Sequence, residues 1–148
     1  MAQAVDVAKY ILTKTGEMTA MKLQKLVYYA QAWSLVWDEN PLFEEDIQAW
    51  ANGPVVPILY EYHRGQFKVS EKTFADGDID ALTSNQKDSV DKVIDVLKEK
   101  SGQWLSELTH MEAPWKDARG DLQPTEKCNN VISLAAIAKS SVQLRVAF

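Results

Sequence analysis

The sequence has little of what most catalytic or exported proteins need. There is one cysteine, Cys128, among 148 residues, so no internal disulfide framework can form, and a lone thiol is at home in a reducing compartment. The two histidines, His63 and His110, are far apart in the chain and far from the cysteine, so no metal-ligand spacing arises. No apolar run approaches the roughly 18 residues of a membrane span, and the opening MAQAVDVAKY has no basic leader followed by an apolar core. The expectation is a cytoplasmic protein, neither exported nor membrane-spanning. No Gly-rich phosphate loop, nucleophile elbow or dinucleotide fingerprint is present.

Positive charge is also scarce and scattered. Net charge is -5; residues 1–74 carry 7 basic against 9 acidic side chains and the remainder 9 against 12. Neither half is a basic arm, which disfavours nucleic acid as a partner. What the chain does have is 46% hydrophobic and 25% charged residues with few Gly or Pro, the balance of a globular domain. Its length suits a single domain over residues 1–148, able to bury about two-thirds of its unfolded surface.

Periodicity points to a mainly α fold. Val5, Ala8, Ile11 and Leu12 recur at helical spacing, with Gly16 placed to end the helix. Thr19 is an N-cap for a second helix running to about Trp37, where Asn40-Pro41 cannot continue it. Apolar residues cover so much of that helix that it should lie at the centre, and the helical spacing of its aromatic residues favours core packing over a base-stacking platform. A strand is expected within 43–50, a small β element near residues 43–56, a turn at Asn52-Gly53 and a rigid bend at Gly53-Pro54. Pro57 opens a third helix through Arg64. Little is periodic between Gly65 and Leu82; Asp76-Gly77 marks a turn or an exposed loop, and Asp76, Asp78 and Asp80 read as an exposed acidic loop. Thr83 and Gln86 form a capping box for a fourth helix, closed by Gly102. Trp104, Leu105, Leu108 and Met111 mark a fifth, Pro114 starts another turn, and Ser133 caps a last helix carrying Leu134, Ile137 and Leu144.

Chemical motifs fail one by one. His110-Met111-Glu112 has the His-x-Glu of zinc deaminases without their paired cysteines. Asp76, Asp78 and Asp80 alternate like a calcium loop, but Ala81 replaces its glycine and Lys87 its glutamate. Glu44-Glu45-Asp46 reads as a charged strand edge. The residues therefore imply no catalytic, cofactor or metal site, although distance in sequence does not exclude a triad assembled in space.

The segments MKLQKLVYYAQAW (21–33), WANGPVVPILYEYHRGQF (50–67) and QWLSELTHMEAPWKDAR (103–119), in this order and spacing, resemble the Panacea domain, a phage-associated family of SocA-like antitoxins. The resemblance implies a type II antitoxin that binds and neutralises a cognate toxin, usually encoded beside it; one family member is an adaptor delivering its toxin to the ClpXP protease. The family-like positions are Leu23, Lys25, Leu26, Tyr28, Trp50, Gly53, Pro54, Tyr60, Leu108, Thr109, His110, Pro114 and Trp115. Most have structural explanations: Leu23, Leu26 and Leu108 as core, Gly53 and Pro54 as the bend, Trp115 packed near it, and His110 bonding carbonyls at a helix end. Where relatives carry aromatic residues in the last helix this chain has Ala138-Lys139-Ser140. For toxin contact the third helix offers Tyr60, His63 and Arg64, with 60 and 64 on one face and 63 adjacent. A DNA-binding regulator of its own operon is the alternative function, and an enzyme the third reading.

Overall fold

The computed structural model describes residues 1–141. Among these the chain forms seven α-helices and two two-stranded antiparallel sheets: α1 Ala4–Thr15, β1 Met18–Thr19, α2 Ala20–Trp37, β2 Gln48–Trp50, β3 Gly53–Val55, α3 Pro57–His63, β4 Lys68–Val69, α4 Ser84–Leu97, α5 Gly102–His110, α6 Ala113–Arg119 and α7 Leu134–Ser141. The fold is mainly α, as the periodicity indicates.

Capping chemistry sets the helix ends. Gly16, at φ +84°, donates to the Leu12 carbonyl and ends α1; Thr19 Oγ1 accepts the Lys22 amide and opens α2. Thr83 and Gln86 exchange backbone-to-side-chain bonds at the start of α4. α2 is the axis. It touches α1, α4, α5, α7 and β3, and Leu23, Leu26, Val27, Ala30 and Trp33 along it are almost wholly buried. Tyr28 and Tyr29 are buried too, so the aromatic run is core. Apolar side chains from Ala2 to Ile137 join one core cluster around this helix.

The polar residues of α2 are equally buried. Gln31 has no exposure; its Oε1 accepts the Leu42 amide at 2.7 Å and its Nε2 donates to the Phe43 carbonyl at 2.8 Å. One side chain thereby replaces a strand partner for backbone that has left regular structure. That explains a difference from the expected strand over 43–50. Phe43 and Ile47 are buried as a strand pattern requires, but regular pairing covers Gln48–Trp50 alone, because the preceding segment bonds to a helix side chain.

β2 and β3 form a hairpin with Gln48 opposite Val55, Ala49 opposite Pro54 and Trp50 opposite Gly53. The reversal is at Ala51-Asn52, one residue before the expected Asn52-Gly53 turn, and Gly53 and Pro54, expected as a rigid bend, begin the return strand. On its other edge β2 meets residues 130–132 through Ala49 N to Asn130 O and Ile132 N to Ile47 O. β1 and β4 make the second sheet, with Met18 opposite Val69.

Two further expectations are corrected. Gly102 does not close α4, which ends at Leu97; it is the first residue of α5, capped by Ser101, and an added Cβ there would lie 3.1 Å from the Lys22 amide nitrogen. The aperiodic stretch 65–82 is more ordered than its sequence shows: Asp76, Asp78 and Asp80 are exposed next to a turn, as expected, but Phe74 is fully buried, a 3₁₀ turn spans Glu71–Phe74 and another Ile79–Ala81, and Asp6 of α1 accepts the Asp78 amide. That order comes from packing on α1, which leaves no periodicity to read. Leu134 is 39% exposed while Ile137 is buried; Leu144 lies outside the described residues.

Replacing Gln31 by Leu strands the Leu42 amide and Phe43 carbonyl in the interior. Urea unfolding should show a loss of about 2–4 kcal/mol with helical content retained.

Candidate functional site

Carbonyl groups at the tip of the β2–β3 hairpin are held by side chains from three helices. Arg119 Nη1 of α6 donates to Ala49 O at 2.9 Å and Trp115 Nε1 to Trp50 O at 2.7 Å. The ring of His110, at the end of α5, hydrogen-bonds the Ala51 backbone, and Ser106 Oγ donates to Asn52 O. From α2, Lys25 Nζ donates to Pro54 O at 3.1 Å, and Gln24 takes both polar groups of Val56, accepting its amide at 2.9 Å and donating to its carbonyl at 3.3 Å. Pro54 suits this position: it has no amide hydrogen to leave unpaired on the edge facing α2.

Gly53 is required twice over. Its φ is +115°, and an added Cβ would sit 2.7 Å from Lys25 Cε and 2.8 Å from Thr109 Oγ1. The resemblance-derived residues Lys25, Gly53, Pro54, Thr109, His110, Trp50 and Trp115 thus converge on one place. His110 stacks on Trp115 with ring centroids 4.1 Å apart, and Arg119 lies over the far part of the same arrangement, 4.9 Å from the Trp115 ring. Leu23, Leu26, Tyr28 and Pro114 are buried, and Leu108 is half-buried against the core. His110 and Glu112 do not act together: Glu112 accepts from Tyr29 OH at 3.1 Å, and burial pushes its carboxyl up to about 7.

Against this hairpin, α2 and α3 enclose a pocket of about 710 Å³, closed on another side by Lys127, Cys128 and Asn129. Trp50, Tyr60 and His63 line it as a run of edge-packed rings, Trp50 to Tyr60 at 5.0 Å and Tyr60 to His63 at 5.3 Å. Of the three residues offered for toxin contact, Arg64 is exposed, Tyr60 is half-buried and His63 is buried. Gln24 fixes the state of His63. Its Oε1 is occupied by the Val56 amide, so its nitrogen must donate, and His63 Nε2, 3.0 Å away, must accept. The ring is neutral there, and burial, with Lys25 nearby, lowers its pKa below the ordinary value.

Lys25 is the most unusual group in the site. It is 1% exposed, it lines the pocket, and its one hydrogen bond among the described residues is to the Pro54 carbonyl. Burial brings its ammonium down to about 7. Among the described residues, no Asp or Glu lines the pocket.

Sequence reasoning missed Gln24, Ser106 and Arg119. Two glutamines seven residues apart in a helix otherwise apolar on most sides were the available signal for Gln24 and Gln31, since that spacing returns to one face. Arg119 offered none beyond its place in the third motif.

The model of the SocA-like antitoxin family, Panacea domain, matches residues 23–116. The chain belongs to that family. The matched stretch runs from α2 to the middle of α6 and includes every Panacea-like position named from the sequence. Comparisons with curated proteins and with solved structures return no match. The Panacea match holds Gln24, Lys25, Ser106, His110 and Trp115, all but one of the hairpin's side-chain anchors; Arg119 lies three residues beyond it.

Between about pH 7 and 10.5 the unfolded chain carries a proton on Lys25 that the folded chain lacks, so stability rises with pH across that window. Unfolding free energy should increase by about 2 kcal/mol from pH 7.5 to 9.5, and Lys25→Met should flatten the rise. Denaturant titrations at the two pH values check this.

Proposed function

We propose that this chain is a type II antitoxin that neutralises a cognate toxin, encoded by the adjacent gene, through direct protein–protein contact in the cytoplasm. The family match over residues 23–116 carries the reading. A second support is the way most polar side chains of the site are used within the fold, although His110 Nε2 and Arg119 Nε are buried with no partner among the described residues. His63 accepts from Gln24, Glu112 from Tyr29, and His110 bonds backbone while stacked on Trp115. These groups hold a scaffold together, which suits binding better than turnover.

The toxin-binding face is proposed on α3 and the turn after it. Arg64 is exposed, Tyr60 half-buried, and Ile58 and Phe67 are 47% and 76% exposed. An arginine and large apolar groups on one short segment are the residue types that anchor interfaces. His63 contributes from beneath, by tying α3 to Gln24 of the central helix.

Co-expression with the neighbouring gene tests the proposal. The neighbour alone should arrest growth, and this chain should relieve the arrest and co-purify with it; a harmless neighbour that forms no complex contradicts the pairing. Arg64→Ala combined with Phe67→Ala should weaken the complex by about ten-fold or more while leaving the unfolding transition within about 0.5 kcal/mol of the parent.

A further inference from the structure

The pocket beside the hairpin has features that binding a protein at α3 does not use. Its volume of about 710 Å³ falls within the range typical of small-molecule sites. Val55, Trp50, Tyr60, Ala20 and Met21 supply apolar wall, and the rings of Trp50 and Tyr60 stand edge to face at its side.

Into that wall is set the nitrogen of Lys25, which as an ammonium has two N–H donors beyond the bond to Pro54 O. Its neighbours cannot satisfy it. Gln24 has both amide ends committed to Val56 and His63. His63 of α3 faces Lys25 as a neutral ring, His110 of α5 is within electrostatic reach but bonded to Ala51, and Lys127 on the remaining wall has the same sign. Cys128 beside it is a free thiol. A buried ammonium is stabilised strongly by a carboxylate and hardly at all by an apolar wall, so the ligand chemistry that completes this pocket is an anion carried on an apolar body.

We propose that the pocket is a binding site for an apolar or aromatic carboxylate, its hydrophobic part against Trp50 and Tyr60 and its carboxylate paired with Lys25. The carboxylate has two possible sources, a free small acid or the C-terminal carboxylate of a polypeptide. The pocket shares Tyr60 and His63 with the helix proposed for toxin contact, but its ligand and its charged anchor, Lys25, are separate from that contact.

Calorimetry on the full chain at pH 8 tests it with 3-phenylpropionate and indole-3-propionate, their primary amides, and short peptides ending in Phe as the free acid or the amide. The acids should bind at least about ten-fold more tightly than the amides. Because Lys25 is mostly neutral before binding and paired afterwards, titrations in two buffers of different ionisation enthalpy should register uptake of up to about one proton per ligand. That readout uses the unaltered protein and does not depend on a variant folding. Lys25→Met should abolish both the acid preference and the proton uptake. Binding of the small acids but not of the peptides assigns the pocket to a free metabolite, and preference for the peptide acid assigns it to a polypeptide terminus; either supports the site. No binding of any acid, equal binding of acid and amide, or binding without proton uptake overturns it.

Discussion

The carbonyls of a two-stranded hairpin are held by side chains rather than by a larger sheet, and the rest of the structure depends on that. Two strands of three residues each are too small to persist alone in water. Here Arg119, Trp115, His110, Ser106, Lys25 and Gln24 reach in from α6, α5 and α2 to bond the backbone from Ala49 to Val56. Each such bond is worth only about 1 kcal/mol net, but each carbonyl left bare in the interior costs more than that. The helices therefore fix the hairpin, and the hairpin fixes the start of α3, whose first residue follows Val56 directly.

Lys25 is the exposed cost of this arrangement, in energy though not in solvent. An ammonium buried with one carbonyl partner and no carboxylate is destabilising when charged. Its stem closes over Gly53, where no other residue has room, so the position serves packing and bonding together. That the chain carries a lysine there, against the pocket, is what gives the pocket its sign.

Much of the fold was legible because its signals are local. The glycine at 16, the threonines at 19 and 83, the proline at 57 and the apolar stripe of α2 each act within a turn or two, and the structure places helix ends where those residues require. The expectations that failed involve distant partners. The strand before Gln48 was lost to Gln31, the ordering of 65–82 comes from α1, and Gly102 is dictated by closeness to Lys22 rather than by the end of α4. The site shows the same division. Gly53, Pro54, His110 and Trp115 stood out in the motif blocks, yet their common purpose appears only when Arg119 and Gln24 are seen bonding the same stretch of backbone. A polar side chain in a helical pattern looks solvated on paper; burial of Gln24, Lys25 and Gln31 is a fact of tertiary packing.

If the hairpin belongs to the cooperative unit centred on α2, its backbone should open only when that unit opens. Native-state hydrogen exchange of the Val56 amide, which donates to Gln24, measures this directly. The account predicts protection equal to that of the Val27 and Ala30 amides in the middle of α2. Exchange of Val56 by local fluctuation, at rates like those of the exposed segment 121–127, would contradict it.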